Sequence, residues 1–225
     1  MDYRNLADKV ISIERLQGYG STADTDLPGT VANYLWNIAL CEAFYPLLNG
    51  VEVALRNRVH AAMTMHTGKQ WWMERNSKYL RPYEIELAQR AISRLRKKSK
   101  RQPRVGEIVA ELMLGFWVAL FDPEYEQTYW HGNGLKAVMP YAPRSELGCH
   151  KIRARLHRIR DLRNRVFHHE PIWHWLHLSA LHEEILETTR WLSGDWWRAL
   201  LINDRFDAVH AAGARPFLSK LIILQ

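Results

Sequence analysis

Cysteine is scarce in this chain: Cys41 and Cys149 are the only two among its 225 residues. Two cysteines cannot form the disulfide framework that holds many small secreted domains together, nor a zinc site made of thiolates. The chain must therefore be stabilised by an ordinary apolar core. Its length and its 47% of hydrophobic residues are sufficient for one.

Segments that target a chain to a membrane are not evident in the sequence either. The N-terminus lacks the basic and then apolar pattern of a signal peptide, and no apolar run approaches the ~20 residues of a membrane span. The C-terminal segment FLSKLIILQ (217–225) is apolar but short, and we expect it to pack on the domain. We therefore expect a cytoplasmic protein that does not insert into a membrane.

The alternation of apolar and polar residues that marks a half-buried strand is also missing, and the apolar periodicity is helical nearly throughout. The sequence predicts an all-α fold, a helical bundle with additional N- and C-terminal helices. We expect one domain over 1–225, with a core at roughly 30–192, an N-terminal helix and loop at 1–29, and a C-terminal helical extension at 193–225. The predicted helices cover residues 2–17, 30–66 (kinked or divided near Pro46 and Asn49-Gly50), 82–100, 103–114, 124–130, 144–169, 175–192 and 195–203.

Positive charge is concentrated in two segments of a chain whose formal net charge is +7. Residues 81–104 carry nine Lys or Arg against two Glu, and residues 150–165 carry seven against one Asp. The rest of the chain is therefore net acidic. Two interpretations remain open: a solvated helix surface, or a surface that attracts a polyanion such as RNA. For the second interpretation, the candidate RNA-binding residues are Arg94, Lys97, Lys98, Arg155, Arg158 and Arg165.

Tryptophan is abundant, with ten residues in the chain. A loop after the second predicted helix is rich in aromatic residues, among them Trp71, Trp72 and Tyr79. Tryptophan can stack on unpaired bases, and Trp71, Trp72, Trp173 and Trp175 are candidates for this role. Packing in the core is the alternative that we favour for these four side chains.

The stretch LRNRVFHHEP (162–171) contains two arginines, an asparagine, two histidines and a glutamate before its proline. In the predicted helix, Arg163 continues the apolar stripe formed by Ile152, Leu156 and Ile159. An arginine in such a stripe either extends its charge to solvent or is buried with a partner, because an unpaired buried charge is very costly. Arg163 is therefore the unusual cation of this helix.

His168 and His169 fall in or just after the last helical turn, since Pro171 disfavours the helical conformation at Glu170. Arg163 and His168 are separated by about 140° around an ideal helix, so a regular helix does not direct both side chains to one point. Either the helix end turns His168 back towards Arg163, or a second subunit completes the site.

An almost identical phrase, LRNRVH (55–60), occurs in the second predicted helix. Its histidine follows the arginine too closely to form a second copy of the same motif. Glu52 lies on or beside an apolar face there and is one turn from Arg56, so the two can form an ion pair. We favour a structural pair that locks helices together. The alternative is that Glu52 orients Arg163 or His168.

Arg163, Asn164 and His168 resemble the Arg-x4–6-His motif of HEPN domains, an all-helical superfamily with many metal-independent endoribonucleases. The whole chain is similar to the Abi-like (abortive infection) branch of bacterial phage-defence proteins. The resemblance extends over about residues 30–175 and is carried, in the family's order, by YLWNIALCEAFYPLLNGVEVALRNRVH, ELMLGFWVALF and LRNRVFHHEPIW.

The resemblance implies a HEPN-like bundle in which Arg163 and His168 are the catalytic pair and Asn164 is the polar residue beside them. It implies a homodimer whose two motifs face one another across a cleft. The expected reaction is attack by the RNA 2′-hydroxyl on the adjacent phosphorus, which leaves a 2′,3′-cyclic phosphate and needs no cofactor or metal. A regulatory small noncoding RNA is a further expected partner.

The chemistry of these side chains agrees with a ribonuclease, and we expect one that acts in phage defence. Histidine suits proton transfer near neutral pH, and the forked guanidinium of arginine suits the charge of the transition state. Two other functions stay open. The domain can bind RNA or a protein without cutting, or His169, His174 and His177 can bind zinc if the last two share a helix face. Four residues complete the candidate site in a supporting role: His169, Glu170, Glu52 and Arg56.

Overall fold

The computed structural model describes residues 1–68, 70–73 and 80–224, and every regular element within them is helical. This confirms the predicted all-α fold. Tyr79 lies outside the described residues. Two short π-helical segments, Ala7–Ile11 and Glu126–Trp130, and a 3-10 turn at Arg144–Glu146 accompany the α-helices. The α-helices are α1 (Tyr3–Leu6), α2 (Ile13–Leu16), α3 (Leu27–Thr67), α4 (Pro82–Ser99), α5 (Val105–Glu111), α6 (Leu114–Ala119), α7 (Pro123–Tyr125), α8 (Gly134–Val138), α9 (Cys149–Phe167), α10 (Leu178–Leu192), α11 (Gly194–Leu201), α12 (Phe206–Ala212) and α13 (Arg215–Ile223).

The helices form two compact units, and each unit is assembled from separate parts of the chain. Unit 1 comprises Met1–Leu48, Asp161–Glu183 and Leu200–Gln225. Unit 2 comprises Asn49–Arg160 and Glu184–Ala199. The N-terminal segment and most of the C-terminal extension thus belong to unit 1 together, and α3, α9, α10 and α11 each contribute residues to both units.

α3 is one helix of 41 residues, so the chain is not divided at Pro46 or at Asn49-Gly50. Proline inside a helix removes a backbone hydrogen bond and is unfavourable on local grounds. Burial offsets this loss, because Phe44, Leu47 and Leu48 around the proline are at most 1% exposed. Tertiary packing therefore decides the length of α3 against the local signal.

α3 is also long and apolar enough to cross a membrane by length and composition, with an 18-residue window of mean hydropathy 1.4. The sequence-based expectation that no apolar segment approaches the length of a membrane span is wrong. Glu42 is the only charged residue between Asp26 and Glu52. Of that window, 44% is buried within the protein. The core helix of a folded domain passes the same test, since a helix buried on several sides carries few charges.

The N-terminal segment does not form the single helix predicted over 2–17. α1 and the π-helical turn after it end at Ser12, which has a φ of 81° and separates them from α2. A positive φ is uncommon for a residue other than glycine. The Ser12 hydroxyl accepts a hydrogen bond from the Arg15 N–H over 3.3 Å, so this serine caps α2 instead of continuing a longer helix.

α12 and α13 lie beyond the last predicted helix. Pro216 stands in the first turn of α13, a position that suits proline because its missing N–H is not needed there. The Tyr3 hydroxyl donates to the Leu221 carbonyl over 3.0 Å, and Tyr3, Leu16 and Leu221 share one buried cluster. This cluster confirms that the apolar C-terminal segment packs on the protein, within unit 1.

Trp71 and Trp72 are buried in unit 2, at 0% and 2% exposure, and Trp71 packs edge-on against Trp117. Core packing is therefore confirmed for these two side chains, and base stacking by them is wrong. Trp173 and Trp175 of unit 1 are half-buried, and stacking by these two stays a prediction.

Candidate functional site

The stretch 162–171 forms the end of α9, and the helix closes with a Schellman cap. The Glu170 N–H donates to the Arg165 carbonyl over 2.9 Å, and the His169 N–H donates to the Val166 carbonyl over 3.3 Å. His169 has a φ of 58° and occupies the left-handed position of the cap, where glycine is usual. The chain thus presents an imidazole at a cap position that glycine usually occupies.

His168 is exposed, and its N–H makes the last helical bond, to the Asn164 carbonyl over 2.9 Å. Asn164 is also exposed and lies one turn earlier on the same face, so both side chains can contact one ligand. Because the backbone is helical up to His168, it does not turn this residue back towards Arg163. The other predicted route to a joint site, through a second subunit, stays a prediction.

Arg163 is half-buried and lies one turn before Phe167. Its guanidinium carbon is 4.3 Å from the centroid of the Phe167 ring, within the range of a cation–π interaction. Phe167 stacks in turn on Tyr45 of α3, with the ring centroids 5.5 Å apart and the planes at 27°. Tyr45 and Phe167 were not among the predicted site residues. The four-residue spacing of Arg163 and Phe167 could have indicated that these two side chains are in contact.

The segment that follows α9 is held by side chains from the N-terminal part of unit 1. The Asn37 Oδ1 accepts hydrogen bonds from the N–H groups of Ile172 and Trp173, over 2.8 and 3.1 Å. Arg15 donates to the carbonyl of His169 over 2.6 Å. The histidine pair is therefore presented by a backbone that is fixed on both sides.

A groove of about 530 Å³ opens beside this turn, between α3 and the end of α9 in unit 1. Its walls are mostly apolar. Burial raises the pKa of the Cys41 thiol in the groove to about 11, so this thiol stays protonated at neutral pH. The lining residues are Ile38, Cys41, Glu42, Tyr45, Pro46, Val166, Phe167, His169 and Arg205.

All four candidate RNA-binding arginines bind carboxylates of the protein. Arg155 is the least exposed of them and also lies over the Trp191 ring, 4.1 Å from its centroid. Lys97 and Lys98 at the end of α4 are exposed and have no ion pair in the described part of the chain, so they are the most accessible to a phosphate backbone. The arginine pairs are Arg94–Glu111 (3.1 Å), Arg155–Glu187 (2.8 Å), Arg158–Glu184 and Arg165–Glu170 (2.6 Å).

Glu52 and Arg56 lie one turn apart on the part of α3 that belongs to unit 2, and both are half-buried. The Arg56 Nε is buried and has no hydrogen-bond partner among the described residues. The ion pair between them and the orienting role of Glu52 stay predictions. The neighbouring Arg58 is structural, because its Nε donates to the Leu192 carbonyl over 3.0 Å.

The two units carry opposite net charge. Unit 2 contains 23 Lys and Arg against 13 Asp and Glu, whereas unit 1 contains 8 against 11. The segment 81–104 belongs wholly to unit 2, and the exposed His168 and His169 belong to unit 1. The excess of positive charge is therefore on unit 2, whereas the exposed histidine pair is on unit 1.

The fold does not favour a zinc site at His169, His174 and His177. α10 begins only at Leu178 and is preceded by turns, so His174 and His177 do not share a helix face. His177 stacks on Trp175, with the ring centroids 5.3 Å apart. Within residues 1–68, 70–73 and 80–224, no three His, Cys, Asp or Glu side chains are grouped so that they could hold a metal ion.

Comparison with family models, with curated proteins and with solved structures finds no match for this chain. Any functional assignment therefore rests on the geometry of the α9 turn and on the chemistry of its side chains.

Proposed function

We propose that this protein is a metal-independent endoribonuclease of HEPN type that acts in abortive-infection defence against phage. The observation that carries the proposal is the exposed pair His168 and His169, held on a fixed turn one helical turn after Asn164. Arg163 precedes Asn164 on the same helix. This set combines groups that transfer protons at neutral pH with a guanidinium suited to phosphate.

Cleavage requires two proton transfers. A base removes the proton of the RNA 2′-hydroxyl, the oxygen attacks the adjacent phosphorus, and the 5′-oxygen leaves with a proton from an acid. His168 performs one of these transfers, Arg163 binds the phosphate oxygens as their charge grows, and Asn164 orients the phosphate or the imidazole. A homodimer provides the second imidazole from the other copy of the chain.

Unit 2 is the part of the protein best suited to bind the backbone of an RNA. Lys97 and Lys98 are exposed at the end of α4, in a unit with a large excess of basic residues. Binding through phosphate contacts releases counterions, so affinity should fall steeply as salt is added. The same surface suits a regulatory small noncoding RNA.

The test is incubation of the purified protein with total cellular RNA in EDTA, beside His168→Ala and Arg163→Ala proteins of equal stability. Loss of a general acid–base group typically lowers a rate by about 10²–10⁴, so we expect cleavage by His168→Ala to fall at least ~100-fold. The matched control is His174→Ala, which removes another exposed histidine of unit 1 and should cut like the parent. Mass spectrometry should find 2′,3′-cyclic phosphate on the fragments. Cutting that survives in both variants would end the proposal.

Binding of RNA or of a protein without cleavage is the second candidate, and the charge of unit 2 favours RNA as the partner. In this case Arg163 serves mainly to support Phe167. If the parent and both variants are inert but bind RNA equally, this second function replaces the first.

A further inference from the structure

Tyr45 and Phe167 form a stacked aromatic pair that is left open to solvent. Their ring centroids are 5.5 Å apart, and both residues line the groove beside the histidine turn. Tyr45 is 52% exposed and Phe167 is 37% exposed. Two aromatic side chains in mutual contact usually become buried, because covering them removes apolar surface from water. Their exposure in a groove therefore indicates a ligand with an apolar, planar part.

Basic side chains also lie around the pair. Arg163 lies over the Phe167 ring, and Arg205 and His169 line the groove. Glu42 is the only carboxylate among the lining residues, and Arg205 binds it over 2.8 Å. The charges of Arg205 and Glu42 offset one another, so the basic groups beside the aromatic faces are Arg163 at the Phe167 ring and His169.

We propose that Tyr45 and Phe167 are a stacking platform for one unpaired base of a single-stranded RNA, beside the phosphate at the histidine turn. The inference rests on the proposed function for its choice of RNA. Single-stranded nucleic acids are recognised by bases that stack on aromatic side chains and by cations that contact the backbone. Tyr45 and Phe167 offer the first, and Arg163 beside Phe167 offers the second. Its volume of about 530 Å³ is in the range of small-ligand pockets. A base that is paired and stacked inside a duplex has no free face for the platform, so single strands are the expected ligands.

The experiment measures binding of a 2′-O-methyl oligonucleotide that contains one 2-aminopurine, whose fluorescence changes when it stacks. This oligonucleotide lacks the attacking hydroxyl, so binding is independent of cleavage. Tyr45→Leu keeps an apolar side chain and removes the ring, and we expect it to weaken binding about 5- to 100-fold. Tyr45→Trp should bind at least as well as the parent. The matched control, Tyr141→Ala, removes another exposed tyrosine (64%) and should leave binding unchanged.

Each outcome decides the matter. Equal binding by the parent, Tyr45→Leu and Tyr45→Trp would overturn the platform, even if the protein cleaves RNA. Selective loss in Tyr45→Leu would support the platform, even if no RNA is cleaved, so failure here is distinct from failure of the ribonuclease proposal. A change of oligomeric state in Tyr45→Leu, measured by light scattering with oligonucleotide binding unaltered, would identify a second copy of the chain as the occupant and overturn the proposal.

Discussion

His169 combines an unfavourable backbone conformation with an exposed imidazole. The left-handed region costs an L residue about 1–2 kcal/mol, and a glycine would fill the same position of the cap without this cost. Side chains that persist in such conformations are concentrated at functional sites. The backbone of His169 is therefore an argument for a role of its side chain that is independent of the motif.

Substitution by glycine should have opposite effects on the two neighbouring histidines. We expect His169→Gly to raise the free energy of unfolding by about 0.5–1 kcal/mol. Removal of the backbone strain stabilises the folded state, and the greater freedom of glycine in the unfolded chain offsets only part of this gain. His168→Gly should lower it by about 0.5–1 kcal/mol, since His168 is still helical. Urea denaturation of both variants measures the difference. A shift of the same sign in both would contradict the conformational explanation.

Helical periodicity was sufficient to identify Arg163 as an unusual cation, because spacing within one helix needs no tertiary information. The ring stack that supports this arginine was beyond the sequence. Tyr45 comes from α3 and Phe167 from α9, and no local pattern brings these two segments together. The left-handed φ of His169 was missed for a similar reason, since Pro171 indicates only that the helix ends and not how it is capped.

Among the elements, the start of α4 is held by a buried carboxylate. The Glu84 side chain is fully buried and accepts hydrogen bonds from Arg81, over 3.0 and 2.6 Å, and from the Tyr125 hydroxyl over 2.9 Å. Arg81 also reaches Asp122, over 2.9 Å. The bonds to Glu84 raise the pKa of Arg81 above its ordinary value. This network fixes α4 on the segment that contains α7.

Removal of the cation from this network should be strongly destabilising. We expect Arg81→Ala to lower the free energy of unfolding by about 3 kcal/mol or more, because a buried Glu84 carboxylate loses its counter-charge. Arg90→Ala is the matched control: it breaks an exposed pair with Glu86 in the same helix and should change stability by less than ~0.5 kcal/mol. Chemical denaturation measures both variants. Similar losses of stability in the two would show that the buried network contributes no more than an exposed ion pair.

Elements with strong end signals were predicted well, and those decided by distant contacts were not. α4 begins at Pro82 and α10 ends at Leu192, as expected from proline in a first turn and from apolar periodicity. α3 continues through Pro46 because its surroundings are buried, and the N-terminal segment breaks at Ser12 although its pattern is that of one amphipathic helix. Local propensity is overridden by packing in both cases.

For the molecule as a whole, burial of thiols and phenols sets its response to alkali. Burial raises the pKa of Cys41 and Cys149 to about 11 and the pKa of Tyr19 and Tyr125 to about 12. In the unfolded chain these groups lose their protons at lower pH, near about 8.5 for cysteine and about 10 for tyrosine. The unfolded state is therefore favoured increasingly as pH rises.

We expect these four groups to leave the free energy of unfolding unchanged below about pH 8. From about pH 9 towards about pH 12 they should lower it progressively. The urea midpoint measured at intervals over this range is the test. A Cys41→Ala, Cys149→Ala protein should show a shallower fall between about pH 9 and 11, whatever its stability at pH 7. If the free energy of unfolding of this variant falls as steeply as that of the parent, the two thiols do not cause the loss of stability at high pH.

The interleaved course of the chain has a consequence for synthesis on the ribosome. The chain passes from unit 1 to unit 2 after Leu48, and unit 2 is complete only with Ala199. A premature stop or a frameshift before Ala199 therefore leaves both units incomplete. Unit 1, which carries His168 and His169, also needs Leu200–Gln225, so on a growing chain the site proposed here can be complete only after those residues have been made.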